Sequence, residues 1–170
     1  MTINSTDIRL RALEPDDVDC IYLWENDPRM WRYGYAPAPL SRHLIWDYIH
    51  TYDADPFRAG QLRLIVECHG EPAGAVDLYD VDARHRRAMV GIMVDERYRR
   101  QGVGERALDL LHGYCRDTLG LNQLGAIIEA GNIASRGLFL AAGYRECGVL
   151  CRWFRTGKDF SDAVMFQLML

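Results

Sequence analysis

An arginine pair and two glycines stand together where a helix is predicted to begin, in the hexapeptide RRQGVG from Arg99 to Gly104. A helix N-terminus offers unpaired backbone N–H groups and about half a unit of positive charge. Glycine lets the backbone approach an anion closely because no Cβ intervenes. The combination is typical of an anion-binding site. The other interpretation is a plain turn in which the arginines are solvated.

The common nucleotide-binding motifs do not fit this loop. A P-loop needs Lys and Ser or Thr after its last glycine, but Glu105 and Arg106 follow Gly104. A dinucleotide fingerprint sometimes allows Ala at the position of Ala107, but it belongs to the first unit of a parallel sheet. Antiparallel strands are predicted before this loop, so a different pyrophosphate is the better candidate ligand.

The first half of the chain alternates strands with short helices. Strand patterns and turn residues predict strands over Ile8–Pro15, Gln61–Cys68, Ala73–Asp80 and Arg87–Val94. The last of these is mostly apolar, which favours a central position in the sheet. Pro15 opens one short helix, and a second helix is predicted from its N-cap Ser41 to about Tyr52.

The second half places a helix between two buried strands. Apolar spacing predicts a helix from Glu105 to Leu119 with Gly120 beyond its end. A strand at Leu124–Ile128, a helix capped by Asn132 and running through Ala142, and strands at Tyr144–Phe154 and Ala163–Leu170 follow. The order predicts an α/β fold, a mixed sheet with one right-handed crossover at its centre.

The bulk composition narrows the class of protein. A length of 170 residues predicts one domain over 1–170, and 49% hydrophobic residues allow a real core. The net charge of −4 argues against nucleic-acid binding, and no stretch approaches the roughly 18 apolar residues of a membrane span. The N-terminus lacks a signal peptide's apolar region, and the five cysteines form no CxxC pair. A cytoplasmic protein without a metal site is therefore expected.

Three segments in order carry a family resemblance. They are the loop Arg99-x-x-Gly102-x-Gly104, the segment NIASRGLFLAAGY from Asn132 to Tyr144, and the opening LRALEPDDVDCIYLWENDP. Together they resemble the GCN5-related N-acetyltransferase (GNAT) superfamily. The resemblance is strongest to the spermidine N-acetyltransferases and the acetyltransferases of ribosomal-protein N-termini. It implies the acyl-CoA N-acyltransferase fold, a mixed twisted sheet in which a central parallel strand pair splays apart.

The resemblance also implies acetyl-CoA as cosubstrate and a primary amine as acceptor, such as a polyamine or a peptide N-terminus. Pantetheine contacts would come from Ile92, Met93 and Val94, whose backbone could hold the oxyanion. The pyrophosphate would lie on Arg99, Arg100, Gln101, Gly102, Val103 and Gly104. Asn132 would contact the cofactor arm with Ser135 and Arg136 nearby, although Asn132 is also a natural N-cap and Arg136 could be solvated.

Two carboxylates are candidates for the base that takes the proton of the attacking amine. Asp77 aligns with an acidic position of the spermidine enzymes, and Glu129 follows the second central strand. Each could instead be an exposed carboxylate at a strand end. Many family members carry a tyrosine seven residues after the asparagine as an acid for the leaving thiolate, but here the position is Phe139. This departure keeps open a non-catalytic alternative, a CoA-binding sensor or interaction module.

The acceptor side is predicted to lie over the first helix. The carboxylates that could attract a cation are Glu14, Asp16, Asp17, Asp19, Glu25 and Asp27, and the aromatic residues that could line a groove are Trp24, Trp31, Tyr33 and Tyr35. The alternatives are a solvated acidic face and ordinary core aromatics. A homo-oligomer is compatible with the resemblance.

Overall fold

The structure is a computed structural model that describes residues 7–31 and 38–170, without the side chains of Met30 and Trp31. The groove predicted for Tyr33 and Tyr35, and for the Trp31 side chain, therefore lies outside the described residues.

In the described part of the chain, seven strands form one sheet in the order β1-β2-β3-β4-β5-β7-β6. The strands are β1 (Ile8–Arg11), β2 (Leu62–Cys68), β3 (Glu71–Asp82), β4 (Arg87–Val94), β5 (Gln123–Glu129), β6 (Arg145–Thr156) and β7 (Asp159–Met169). β4 and β5 pair in parallel, and the other neighbours are antiparallel. The predicted mixed sheet with its central parallel pair is confirmed.

In the described part of the chain, six α-helices accompany the sheet. They are α1 (Val18–Glu25), α2 (Pro28–Trp31), α3 (Arg42–His50), α4 (Pro56–Ala59), α5 (Val103–Asp117) and α6 (Ile133–Ala141). The Ser41 hydroxyl accepts the Leu44 N–H at the start of α3, and Asn132 accepts the Ser135 N–H at the start of α6. Both predicted N-caps are confirmed.

Apolar residues cover the sheet on both faces. The larger core lies between the sheet and α5, whose residues Ala107, Leu108, Leu111 and Cys115 are buried. The smaller core joins α1 and α3 to the other face through Ile21, Ile45, Ile65 and Ala75. The larger core also holds Val94 at the end of β4 and Val103 at the start of α5.

The observed boundaries differ from the predicted ones where a turn intervenes. β1 ends at Arg11 because Pro15 opens a 3₁₀ turn, so the strand does not reach Pro15. β7 begins at Asp159, well before Ala163, because Gly157 at φ 65° closes a tight hairpin directly after Thr156.

Candidate active site

The parallel strands β4 and β5 separate at the centre of the sheet. Their register holds for three pairs, from Arg87 with Gln123 to Met89 with Gly125. Beyond this point β4 stays paired with β3 as far as Val94, and β5 stays paired with β7 as far as Glu129. The edge of β4 that faces β5 therefore lacks a strand partner over its last residues, and a gap opens toward the carboxyl ends of both strands.

A cavity of about 140 Å³ occupies this gap. Its apolar wall is formed by Val90, Ile92, Ile127, Ile128, Phe139 and Phe154. Its polar groups come from Tyr79, Glu129, Asn132 and Ser135, with the backbone of Gly91 between them. The shape suits an extended, mostly uncharged chain that ends beside a carboxylate.

The two glycines of the anion loop serve different purposes. Gly102 is the N-cap of α5 at φ 80°, and a Cβ at this position would meet open space. Gly104 faces α6, where a Cβ would lie 3.1 Å from Leu138 Cδ2 and 3.5 Å from Val94 Cγ2. The first glycine therefore shapes an open helix start, and the second permits close packing of α5 on α6 and β4.

The loop ahead of Gly102 is held by its own side chains. Arg99 Nε donates to the Val94 carbonyl oxygen at 2.8 Å, and Gln101 Nε2 donates to the Arg97 carbonyl oxygen at 2.6 Å. Arg100 adopts a positive φ of 58°. Among the described residues no side chain caps the start of α5, and uncapped N–H groups at a helix start are suited to an anion.

A groove of about 450 Å³ between α5 and α6 begins at this loop. Gly102, Arg106, Asp109 and His112 line its α5 side. Arg106 pairs with Asp109, and its Nε is buried without a hydrogen-bond partner. The groove can hold the remainder of a ligand whose diphosphate lies at Gly102.

The α6 residues of the predicted site separate into two groups. Asn132 and Ser135 line the cavity, and the Asn132 amide oxygen caps α6 at 3.1 Å from the Ser135 nitrogen. Arg136 instead donates to the Ala130 carbonyl oxygen at 3.1 Å and pairs with Glu146 at 2.8 Å. Arg136 thus ties α6 to β6 and is not among the residues that line the cavity.

Asp77 is engaged in a bidentate ion pair. Arg63 Nε and Nη2 donate to its two carboxylate oxygens at 2.6 and 3.1 Å, and Arg63 Nη1 donates to Glu25 at 2.8 Å. Burial opposes the charge of Arg63, but Asp77 and Glu25 outweigh it and raise the pKa of Arg63 above its usual value. Asp77 is therefore poorly placed to accept a proton.

Glu129 is the carboxylate that reaches the cavity. It is half-buried at the end of β5, and its carboxylate lies close to Gly131, where a Cβ would be 3.2 Å away. Among the described residues no hydrogen bond or ion pair engages this carboxylate. Of the two predicted candidates, Glu129 is the one available to a bound amine.

Phe139 belongs to the core at the inner end of the cavity. It is 2% exposed, and its ring packs edge-on against Tyr144 at a centroid distance of 4.8 Å. The Tyr144 hydroxyl lies 3.3 Å from His112 Nε2, and burial raises the pKa of Tyr144 and lowers that of His112. Tyr144, also 2% exposed, is a core aromatic.

Among the residues of the site region that the sequence patterns missed are Arg63, Tyr79, Gly91 and Phe154. Arg63 had a signal, since it is a charged residue inside the otherwise apolar start of β2. Tyr79 lies on the same face of β3 as Asp77. Phe154 comes from a distant strand, and nothing local marks it.

The predicted acidic face is largely neutralised. Four of its six carboxylates pair with arginines: Asp17 with Arg11, Asp19 with Arg42, Glu25 with Arg63, and Asp27 with Arg29. Asp17 is also buried, at 2% exposure. Glu14 and Asp16 remain exposed.

Trp24 connects the first helix to the turn that precedes the anion loop. Its Nε1 donates to Asp95 Oδ2 at 3.0 Å, and Asp95 also caps the 3₁₀ turn Glu96–Tyr98. Burial raises the pKa of Asp95, but hydrogen bonds from Arg97 and Trp24 outweigh it and lower the pKa to about 2. The contact fixes α1 against the turn that leads into Arg99.

Trp24→Phe should destabilise the protein in a pH-dependent way. Loss of a hydrogen bond to a charged acceptor should lower the free energy of unfolding by about 1–2 kcal/mol at neutral pH. Because the folded pKa of Asp95 is depressed, its contribution is present above about pH 4 and is lost as the pH falls toward 2. Urea unfolding at about pH 7 and pH 3 should therefore show a smaller difference at the lower pH.

Trp46→Phe, at a tryptophan 45% exposed on α3, is the matched control and should change little at either pH. Equal losses for Trp24→Phe at the two pH values would mean that the Asp95 hydrogen bond is not the cause.

The fold and the site define a class of protein in which a splayed mixed sheet adjoins an anion loop at a helix start. A family model described as the Acetyltransferase (GNAT) domain matches residues 7–145. The chain therefore belongs to the GNAT acetyltransferase family, and the predicted resemblance is confirmed.

Individual proteins agree with this assignment. Spermidine N(1)-acetyltransferase of Escherichia coli K12 is 27% identical over 157 residues, which cover 92% of this chain and 83% of the relative. The structure of spermidine N-acetyltransferase from Vibrio cholerae with CoA and spermine superimposes with a TM-score of 0.85 at 20% identity, covering 96% of each chain. RimL, a ribosomal L7/L12 alpha-N-protein acetyltransferase bound to coenzyme A, gives a TM-score of 0.83 at 17% identity, covering 97% and 95%.

Within residues 7–31 and 38–170, no helix combines the length and the apolar character needed to cross a membrane. The same residues contain no cluster of three or more potential metal-ligating side chains.

Proposed function

We propose that this chain, as a single domain over residues 1–170, transfers the acetyl group of acetyl-CoA to a primary amine. The proposal is supported by three features that lie near the carboxyl ends of the central strands β4 and β5. β4 and β5 open after Met89 and Gly125, and the carboxylate of Glu129 lines the cavity in this gap. The start of α5 lies against the end of β4, where Arg99 donates to the Val94 carbonyl oxygen and Gly104 packs beside Val94.

Acetyl-CoA would be held by backbone groups and by the two glycines. The diphosphate would lie on the α5 start, using Arg99, Arg100, Gln101, Gly102, Val103 and Gly104. The pantetheine arm would follow the free edge of β4 at Ile92, Met93 and Val94, with Asn132 and Ser135 on the opposite wall. When bound there, acetyl-CoA supplies an activated acetyl thioester. Arg136 is left out of this set because Glu146 and Ala130 engage it.

Glu129 is the residue proposed to take the proton of the amine. An amine must be neutral to attack a carbonyl, and a carboxylate can accept its proton directly or through one water. Asp77 would have to release Arg63 from a half-buried bidentate contact to do the same. The backbone N–H groups of β4 near Ile92 and Met93 are suited to stabilise the developing oxyanion.

The proposal also covers the acceptor of the acetyl group, the cell compartment and the oligomeric state. The names of similar proteins support two acceptor classes, polyamines and the N-termini of ribosomal proteins. A dodecameric spermidine N-acetyltransferase from Vibrio cholerae supports a homo-oligomer. The free cysteines are compatible with the reducing cytoplasm. The observation behind the alternative, a CoA-binding module without catalysis, is Phe139 at the family's usual tyrosine position.

The test is release of CoA thiol from acetyl-CoA in the presence of a panel of polyamines, peptide N-termini and simple alkyl amines. The proposed function requires release that depends on the amine. Tight CoA binding without release for any amine would instead support the non-catalytic module.

We expect that no tyrosine acts as an indispensable acid, because Phe139 occupies the family's usual tyrosine position. A thiol of this kind has a pKa of about 8.5, so its thiolate can leave near neutral pH without an acid. Phe139→Tyr should therefore leave kcat unchanged or raise it. The structure makes Tyr79 the strictest comparison, since it is the tyrosine among the cavity-lining residues.

The controls are Tyr79, Tyr98, Tyr114 and Tyr144, each changed to Phe and checked for folding and CoA affinity. A drop in kcat of roughly a hundredfold in one of them, with binding intact, would show that a displaced tyrosine is the acid.

A further inference from the structure

We infer that Arg63 determines the acceptor class, and that the site accepts an amine with a single ammonium group on an uncharged body rather than a polyamine. The inference rests on the proposed function. Arg63 forms ion pairs with Asp77 and Glu25, and the carboxylate that lines the cavity is Glu129.

Arg63 lies between the sheet and the helices α1 and α3. It lies on β2 opposite Asp77 of β3 and is covered by α1, which supplies Glu25, and by α3, whose Tyr48 ring lies 6.0 Å from the guanidinium carbon. Its side chain is 23% exposed. Both oxygens of Asp77 and one oxygen of Glu25 accept its N–H groups. The arginine is a fixed cation rather than a mobile surface charge.

This cluster adjoins the cavity. Asp77 pairs with Gly91 across β3 and β4, and its Oδ2 lies 3.9 Å from where a Gly91 Cβ would be. Gly91 and Tyr79, the next residue on that face of β3, both line the cavity. An acceptor long enough to extend past Gly91 would meet Asp77 and Arg63.

A second ammonium group would gain little at this cluster. Asp77 already uses both oxygens on Arg63, and drawing it away would leave a half-buried guanidinium without its main partner, which is strongly unfavourable. The guanidinium itself repels another cation at the same distance. Arg63 therefore removes the recognition that Asp77 would otherwise give to a polyamine.

The neighbouring acidic residues lead to the same conclusion. Asp17, Asp19 and Asp27 are each paired with an arginine, and the exposed Glu14 and Asp16 are not among the residues that line the cavity. Glu129 is the carboxylate among the residues that line the cavity, and its neighbours there are mostly apolar or aromatic, including Tyr79, Ile127 and Phe154. This arrangement matches one ammonium group attached to an uncharged chain or ring.

The first test uses the wild-type enzyme and alkyl monoamines, diamines and triamines of matched length. After correction for the number of reactive ends, kcat/KM should agree within roughly threefold across the series and depend weakly on salt. A rise of tenfold or more with each added ammonium group, suppressed at high salt, would overturn the inference. Absence of acetylation for every amine would instead count against the proposed function.

The second test removes the guanidinium that engages Asp77. Arg63→Gln should raise the ratio of kcat/KM for the triamine to that for the monoamine at least tenfold, because both carboxylate oxygens of Asp77 lose the guanidinium that they now accept from. Arg58→Gln is the control, because it removes the same charge from α4, where the exposed Arg58 pairs with Asp53. This variant should leave the ratio unchanged. An unchanged ratio in folded Arg63→Gln with normal CoA affinity would overturn the inference. If that variant does not fold, the wild-type series decides.

Discussion

Gly102→Asp is expected to weaken CoA binding at least tenfold, equivalent to about 1.4 kcal/mol. Gly102 is the N-cap of α5 at φ 80°, and the position of its absent Cβ is open toward the side where the diphosphate would lie. An aspartate there would place a negative charge beside the phosphates. Its carboxylate would also accept hydrogen bonds from the first N–H groups of α5, which the phosphates would otherwise use. Calorimetric titration with CoA measures the loss directly.

Gly102→Asn is the matched control. Asparagine has nearly the same size as aspartate and also tolerates a positive φ, but it carries no charge. The asparagine variant should therefore bind CoA clearly better than the aspartate variant. Normal CoA affinity in folded Gly102→Asp would show that the diphosphate lies elsewhere. As a further check, CoA should raise the melting temperature of the wild type through mass action.

Glu129→Gln is expected to lower kcat about a hundredfold or more while CoA affinity stays within a few-fold of the wild type. A positioned general base contributes roughly 10²- to 10⁴-fold, and an amide of the same shape cannot accept the proton. Steady-state kinetics with the best amine, together with calorimetry for CoA, separates the chemical step from binding.

Asp77→Asn is the comparison for this prediction, because Asp77 was the other carboxylate predicted as the base. Loss of the Asp77 carboxylate removes the bidentate partner of Arg63. The variant should therefore have a lower free energy of unfolding but a kcat close to that of the wild type. The reverse pattern, a large loss of kcat in Asp77→Asn and a small one in Glu129→Gln, would exchange the two roles.

The local features of the fold were predictable because each depends on a few adjacent residues. The starts of α3 and α6 follow from Ser41 and Asn132, whereas α5 begins at Val103, two residues before the predicted start at Glu105. The anion loop could be recognised for the same reason. The need for a glycine at position 104 was not predictable, because it depends on packing against Leu138 of the later helix α6.

The charge balance of the acceptor side could not be read from the sequence. A run of carboxylates from Glu14 to Asp27 looks acidic in isolation, but its arginine partners come from as far away as Arg42 and Arg63. Asp77 and Glu129 looked equivalent as strand carboxylates. The strand register that brings Arg63 onto Asp77 is what distinguishes them, and it exists only in the folded sheet.

The most direct measurement of the central claim is mass spectrometry of the acceptor after reaction with acetyl-CoA labelled in its acetyl group. The account predicts that the label appears on the amine nitrogen in the same amount as the CoA thiol released, and that Glu129→Gln slows both equally. Thiol release without label on any amine would mean hydrolysis, and would contradict an acetyl transfer to an amine held beside Glu129.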